Sequence, residues 1–380
     1  MYTADTKSRN VKWTIGWGYT SRCDLNCAFC YSRRVRRGNA TLEIHFDDAR
    51  SFVIHNQYHV GAFNFGTGEC FLAPMFTDLL KICADTIPGV DLAVTTNGAF
   101  FDAANTTEKV ELYRNCISEL DVSIDFAKSE DHDSWRGKPG CWARAINAVK
   151  LAFDMGIATS IVMVGTKQTL QEQNVAAMLE LAESHGVALR INLFMPTAGD
   201  FSFSPSTATV WSLLEQLQEH ESIMRSSDPL IGPRTDTYQP GLHLAAHRSC
   251  RVLPDGRVTP STYLLDAPWT LDGSLITLDL GQIVETEPFR KFSSAPVPNE
   301  CRNCAYSEVC RGGSVERRWL WFQRLDRRDP YCPGPSFQFT KRSFPFGGAF
   351  ETRWNGPTVH LDYLPTIIVC PPSKRSTVTD

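Results

Sequence analysis

The sequence predicts an α/β protein: a parallel sheet covered by helices, followed by a small cysteine-rich region. Three observations carry this. From residue 11 to about 225, short apolar or β-branched runs alternate with stretches whose apolar residues recur at helical spacing, the pattern of parallel strands joined by covering helices. Eight of the 13 cysteines fall into spaced groups, one set near residue 25 and the other beyond residue 250. The 380 residues are enough for two or three domains with a sizeable core.

The elements follow in chain order. Val11 to Trp17 reads as a first strand, with the apolar run continuing to Thr20. Phe46 to Tyr58 forms a helix, Gly61 to Phe65 a short strand, and a helix follows Pro74, since proline is accepted at helix starts. Val90 to Thr96 is a strand, Thr107 to Glu119 a helix and Asp121 to Phe126 a strand. Trp142, Ala145, Ile146, Val149, Ala152 and Phe153 line one helical face. The β-branched run Ile157 to Val164 reads as a buried strand. A helix through Val175, Met178, Leu179 and Ala182 follows, then a strand over Val187 to Phe194 and a last helix through Val210, Leu213, Leu214 and Leu217. From Ser226 to His247 the turn-forming pairs Asp228-Pro229 and Gly232-Pro233 and the triplet Gln239-Pro240-Gly241 read as a linker. The stretch from Gly334 to Asp380 reads as a tail with a terminal strand or hairpin within Thr358 to Val369, either capping the site or packing as an arm.

Composition excludes several classes. The net charge of -4 gives no basic excess for nucleic acid and no acidic block for disorder. Met1 to Lys7 lacks the apolar core of a signal peptide, and no run of 18 apolar residues predicts a membrane span. A cytoplasmic location is therefore expected, where clustered thiols read as metal ligands and not as disulfides. The scattered Cys70, Cys83, Cys116, Cys141 and Cys370 read as small buried hydrophobes.

Cys23, Cys27 and Cys30 are spaced C-x3-C-x2-C directly after the first strand, with Phe29 and Tyr31 flanking the last cysteine. Fe–S clusters normally take four cysteines. A compact set of three points to a cubane whose fourth iron is open to a small molecule. The alternative is a zinc knuckle lacking a ligand, for which His45 lies too far away. The motif resembles that of the radical S-adenosylmethionine (radical SAM) superfamily. The resemblance implies a partial (β/α)6 TIM-like barrel, with chemistry at the strand C-terminal ends. It also implies a SAM-binding [4Fe-4S] cluster and S-adenosylmethionine, cleaved by one electron to a 5'-deoxyadenosyl radical that abstracts a hydrogen atom.

Other positions are similar to that family's SAM contacts. Gly66-Thr67-Gly68-Glu69 resembles its Gly-Gly-Glu motif, with Thr67 where the first glycine usually stands. There the backbone and carboxylate would receive the methionine ammonium. Asn97 lies in a Thr-Asn-Gly run, Ser123 and Asp125 sit where polar groups approach the ribose, and Asn192 lies on strand six facing the nucleoside. Arg136 reads as a partner of the methionine carboxylate or as a surface arginine. Val162 and Leu193 read as core, or as packing on adenine.

Cys301, Cys304, Cys310 and Cys332 form a second set. Four thiolates suit a cubane or a structural zinc ion, and spacing does not separate the two. The block resembles the SPASM extension of radical SAM enzymes, notably at Cys310-Arg311-Gly312-Gly313 and Asp329-Pro330-Tyr331-Cys332. That implies one fully ligated auxiliary [4Fe-4S] cluster. Ser261 and Ser314 stand at two ligand places of a second one, so two clusters are expected in all. Cys250 is left without a metal role and is read as a hydrogen-atom donor or a vestigial buried thiol. Thr262 stands where sulfatase-maturing members carry an aspartate, which argues against that activity.

The expected organisation is a barrel over 1–225, a linker over 226–247, a SPASM-like domain over 248–335 and a tail over 336–380. The expected activity is radical modification of a peptide, by crosslinking, oxidation or epimerisation of a ribosomal precursor. The alternatives are a sugar or aminocyclitol epimerase or dehydrogenase in natural-product biosynthesis and, of another class, a zinc-stabilised scaffold. The expected partners are a reductase or flavodoxin-type electron donor and a separate leader-peptide-binding protein, since only about ten residues precede the first strand. Neither nucleic acid nor a membrane is expected as a partner.

Overall fold

A computed structural model describes residues 12–36, 40–220, 223–235, 248–272, 278–337, 359–362 and 364–370. Its strands are β1 (Trp13–Trp17), β2 (Val60–Phe65), β3 (Asp91–Thr96), β4 (Glu119–Ser123), β5 (Ala158–Gly165), β6 (Ala188–Leu193), β7 (Ile223–Ser226), β8 (Ser249–Val252), β9 (Val258–Thr259) and β10 (Ile367–Cys370). Between them run α1 (Phe46–His55), α2 (Phe76–Thr86), α3 (Ala99–Ala103), α4 (Thr107–Cys116), α5 (Ser129–Arg136), α6 (Cys141–Asp154), α7 (Glu172–Ser184) and α8 (Thr207–Glu219). Beyond β9 come α9 (Leu280–Ile283), α10 (Glu287–Ser293), α11 (Ser307–Cys310) and α12 (Val315–Phe322).

All described strands belong to one sheet, in the order β7-β10-β6-β5-β4-β3-β2-β1-β8-β9. Strands β1 to β6 pair in parallel, each with the next, as the strand–helix alternation requires. The predicted six-unit sheet is therefore present. Its strands are nearly continuously buried, because helices cover one face and side chains fill the other. Trp17 anchors the core: its ring meets Phe52 edge-on at 5.2 Å and Phe63 at 5.1 Å. Phe63 and Phe65 are fully buried beside it.

Both ends of the sheet exceed the sequence expectation. β8 pairs in parallel with β1, so the segment expected to open a separate domain extends the barrel sheet instead. β10, from the expected tail, lies antiparallel between β6 and β7. The first part of the expected linker is packed chain. Ser226, Ser227 and Asp228 are buried, and the Ser226 hydroxyl donates to the Thr366 carbonyl at 3.0 Å. The Pro and Gly pairs there build a short 3-10 turn, Gly232–Arg234, rather than a free connection. The rest of that stretch, 236–247, lies outside the described residues.

Proline 74 precedes its helix instead of entering it, with Met75 at the N-cap of α2. The helix expected to run to Glu119 stops at Cys116, because Glu119 already begins β4. Among the described residues no helix is long and apolar enough to cross a membrane.

Candidate active site

The loop after β1 carries the first cysteine motif and is held by charge. Asp24 accepts from Lys138 Nζ at 2.6 Å, Arg144 Nη1 at 2.8 Å and Asn97 Nδ2 at 2.9 Å. Burial raises the pKa of this carboxyl, but the Arg144 and Lys138 bonds outweigh it and hold it below the ordinary range. Arg36 donates to the Leu25 carbonyl at 2.5 Å and lies 3.9 Å from Cys30 Sγ. Phe29 stacks on Trp135 at 4.6 Å, and the Arg136 guanidinium lies over the Phe29 ring, 5.3 Å from its centre.

The loop after β2 docks on this one. Gly68 has φ +66°, and a Cβ there would sit 2.4 Å from the Arg22 carbonyl oxygen, so only glycine allows the approach. The Glu69 N–H donates to that same carbonyl at 2.6 Å. Gly98 is similar: at φ +107° a Cβ would lie 2.8 Å from the Ala145 nitrogen of α6.

These loops open on a cavity whose empty space, open solvent included, is about 1080 Å3. Of the residues expected to bind a cluster or SAM, Cys23, Cys27, Cys30, Gly66, Gly68, Asn97, Ser123, Arg136 and Asn192 line it. Val162 and Leu193 line it as well. Thr67, Glu69 and Asp125 stand behind the wall. The Glu69 carboxylate turns into its own loop, accepting from Thr96 Oγ1 at 3.0 Å and the Asn97 N–H at 2.6 Å. Burial pushes its pKa up to about 7 against those bonds. Asp125 is buried and pairs with Arg136 Nη2 at 2.6 Å. The surface reading of Arg136 is thereby overturned: Asp125 draws it inward.

The structure does not bring Cys250 to the cavity. Successive residues of a strand face opposite ways, and on β8 it is Arg251 that lines the cavity. Cys250 is 2% exposed, packed in the hydrophobic core, and burial pushes its thiol up to about 12. The hydrogen-donor expectation is corrected on that ground, and the buried-thiol alternative stands.

Several cavity residues were not singled out from sequence. Arg190 on β6 and Arg251 on β8 reach its floor, with Tyr31, Tyr263 and His360. The Tyr31 hydroxyl donates to the Gly66 carbonyl, and Arg251 Nη2 donates to the same oxygen at 2.8 Å and to Thr67 Oγ1. His360 Nε2 lies 2.6 Å from Asn64 Nδ2 and 3.2 Å from Asp121 Oδ2. Burial and the nearby Arg190 and Arg251 charges hold His360 neutral, well below its ordinary pKa. A charged residue inside the apolar run Ala188–Leu193 was the available signal for Arg190. Nothing local marks His360, which the fold brings in from far along the chain. Residues near it thus cap the cavity, one of the two roles considered for the tail: Leu364 lines the cavity, and Thr366 Oγ1 donates to Asn192 Oδ1 at 2.7 Å.

Residues 17–179 match the profile of the radical SAM superfamily. They are a radical SAM domain. The chain is 27% identical over 352 residues to an AdoMet-dependent heme synthase of Methanosarcina barkeri, covering 85% of this chain and 97% of that one. It is 24% identical over 337 residues to the mycofactocin maturase MftC of Mycobacterium ulcerans, covering 84% and 87%. Among solved structures, Streptococcus suis SuiB bound to S-adenosylmethionine superposes with a TM-score of 0.64 at 15% identity, covering 85% of this chain and 78% of that one. Native anSMEcpe with bound AdoMet gives 0.66 at 18% identity, covering 84% and 94%. Members of that superfamily are enzymes that use a [4Fe-4S] cluster and SAM.

The residues present fit those groups. Cys23, Cys27 and Cys30 are free thiols on one cavity wall. Burial pushes Cys23 up to about 11, so metal binding must release protons there. The second set, Cys301, Cys304, Cys310 and Cys332, lines its own cavity of about 300 Å3. Among the described residues no three His, Cys, Asp or Glu side chains converge on a single-ion site. Arg234 Nη2 lies 3.5 Å from Cys332 Sγ and 3.9 Å from Cys304 Sγ, a charge suited to an anionic thiolate set. Arg317 fixes this region, pairing with Asp228 at 2.6 Å and Asp329 at 2.7 Å. Where a further cluster would need ligands, Ser261 and Ser314 donate to the two oxygens of buried Glu316, at 2.6 and 2.7 Å.

Proposed function

We propose that this enzyme abstracts a hydrogen atom from a residue of a peptide, maturing a ribosomally made precursor by a net oxidation such as a crosslink or dehydrogenation. The carrying observation is the cavity whose lining joins three free thiols to Asn97, Ser123, Arg136 and Asn192 and also includes Arg190 and Arg251. Bound at the three thiols, the cluster with SAM supplies the electron and the 5'-deoxyadenosyl radical. The chain's own residues do the rest. Asp24 and Arg36 hold the thiol loop in place. Arg136, fixed by Asp125, offers a fork for the methionine carboxylate. Asn97, Ser123 and Asn192 offer hydrogen bonds to the nucleoside, and Val162, Leu193 and Phe194 exclude water.

Peptide chemistry is supported by relatives named as a mycofactocin maturase and as the subtilosin biosynthesis protein AlbA of Bacillus subtilis, the latter 30% identical over 145 residues. Net oxidation is favoured over epimerisation because Cys250 does not reach the cavity. The other cysteine set, read as a SPASM-like auxiliary cluster, would take up the released electron. A reductase or flavodoxin-type donor and a leader-peptide-binding protein complete the proposed cytoplasmic system.

A small-molecule substrate is the second reading, favoured by the heme synthase relative, which this chain covers almost end to end. Anaerobic reconstitution decides the class: about eight irons per chain and reductant-dependent release of 5'-deoxyadenosine are expected. Zinc at the C-terminal set with no SAM cleavage would instead indicate a scaffold. Incubation with precursor peptides encoded beside the enzyme, followed by mass spectrometry, then tests the substrate. Loss of two mass units or a crosslink supports the proposal; solvent deuterium at an unchanged mass formula indicates epimerisation and overturns it.

A further inference from the structure

The cavity is lined by four arginines, Arg36, Arg136, Arg190 and Arg251, and among the described residues by no aspartate or glutamate. Two of the four are committed near the cysteine loop. Arg136 is paired with Asp125, and Arg36 holds the Leu25 carbonyl beside Cys30. The other two stand on strands of the sheet, Arg190 below Asn192 and Arg251 reaching up to the Gly66 carbonyl and Thr67. Arg190 is two residues before Asn192 on β6, about 6–7 Å further from the strand end. Arg251 stands in register with Gly16 of β1, before the cysteine loop begins. Each is only 1% exposed.

Among the described residues Arg251 forms no ion pair, and Arg190 forms one long pair, with Asp121. Arg251 donates to neutral acceptors: the Gly66 carbonyl, Thr67 Oγ1 and the Tyr31 hydroxyl. The carboxylate beside Arg190 is Asp121, whose Oδ1 is 3.5 Å from Arg190 Nε and also accepts from Ser160 Oγ. The Nε and Nη1 of Arg190 make no hydrogen bond. Both guanidiniums act on the same neighbours, lowering the pKa of His360 and opposing the burial-driven rise at Tyr263, so they share one end of the cavity. His360, held neutral, adds no third charge. A buried cation without an ion pair, beside one only loosely paired, is costly unless a partner arrives, and a planar anion matches the guanidinium fork.

We propose that the floor formed by Arg190 and Arg251, with Tyr263 beside them, is a carboxylate subsite for the substrate. The residue to be modified then enters carboxylate first, as the C-terminal residue of the peptide or as an acidic side chain, and its carbon skeleton points back toward the thiol loop. This rests on the peptide reading above. It adds that the substrate is anionic at the reacting residue.

The test uses reconstituted holoenzyme with SAM, without reductant, and reads binding by calorimetry. The probes are N-acetyl-dialanine with a free C-terminus, its C-terminal amide, N-acetyl-aspartate N-methylamide, glutarate and inorganic phosphate. The expected result is that one of the two peptide acids binds at least tenfold tighter than the amide. Whichever acid wins identifies the source of the carboxylate. R190M should remove at least tenfold of that preference while keeping its iron content. Should R190M fail to hold iron, R251K, which keeps the charge and loses the fork, is expected to weaken the same acid. Measurable but equal binding of acid and amide, an unchanged preference in a variant that keeps its iron, or tighter binding of phosphate than of any carboxylate overturns the proposal. SAM cleavage with no acid preference refutes the subsite and leaves the function standing. Arginine-dependent binding of glutarate with none of the peptide acids supports the subsite and refutes the peptide substrate.

Discussion

Replacing Arg317 with leucine should cut the second cysteine region loose. Arg317 is wholly buried on α12. Its Nη1 and Nη2 form a fork on Asp228 at 2.6 and 2.9 Å, and its Nε donates to both oxygens of Asp329 at 3.0 and 2.8 Å. Leucine leaves two buried carboxylates without a counter-charge. Breaking a buried pair in this way costs about 3–5 kcal/mol, a large share of the ~5–15 kcal/mol that stabilises an ordinary domain. Asp329 lies three residues before Cys332, and Asp228 belongs to the segment after β7, so the loss should be concentrated at the C-terminal thiols. Urea unfolding of the apoprotein reads the energy, and iron content after reconstitution reads the place. We expect R317L to retain roughly half the iron of the parent, the half bound at the first motif.

The deficit should also depend on pH. Burial raises the pKa of Asp228, but the Arg317 charge and the Arg317, Leu230 and Ile231 hydrogen bonds outweigh it, so the folded carboxyl lies below its ordinary value. A depressed carboxyl stabilises the fold above its unfolded pKa, and that stability is lost as pH falls through the folded value. The gap between parent and R317L should therefore close in acid. The triple variant R317L/D228N/D329N, which removes the orphaned charges, should recover part of the loss. A change under about 1 kcal/mol, or loss of iron from the first motif alone, would refute the reasoning.

Alanine at Cys23, Cys27 or Cys30 should remove about half the iron and all SAM cleavage; alanine at Cys301, Cys304, Cys310 or Cys332 should remove the other half and leave the first set's SAM-dependent spectral change. Glu69, raised by burial from 4.5 to about 7, should make the apoprotein less stable as pH rises between those values. The swing is ~3 kcal/mol, since the folded state holds its proton longer, and E69Q should flatten that slope in pH-dependent unfolding. D24N keeps the shape of the thiol loop but loses the charge shared by Lys138 and Arg144. A loss of about 1–2 kcal/mol and faster iron release to a chelator are expected; unchanged release kinetics would show that the loop is held by other contacts.

The parallel sheet was legible in the sequence because its strands are buried on both faces and read as apolar runs between helical stripes. The cavity-lining residues were legible where they belong to contiguous motifs, such as Cys23, Cys27 and Cys30 or Gly66 and Gly68. The sequence does not show which way a motif residue turns. Glu69 is in the motif yet bonds backward to Thr96 and Asn97, because the close contact at Gly68 fixes the loop's direction. Cys250 was misplaced for a related reason: on a four-residue strand with every residue buried, there is no polar alternation to reveal which face meets the cavity. Arg251, its neighbour, takes that face. Long-range closure was also hidden. Asp228-Pro229 has turn composition, and only its partner Arg317, some ninety positions later, explains why it is interior. The position of His360 depends on β10, whose pairing leaves no mark in local pattern.

The placement of β10 between β6 and β7 has a consequence for assembly. Those two strands are separated in sequence by one helix, yet they never touch; the strand that joins them is made about 140 residues after β7. Pairings of such high sequence separation are slow to form, so a nascent chain must hold a slot open in its wall while the thiol-bearing segments are already exposed.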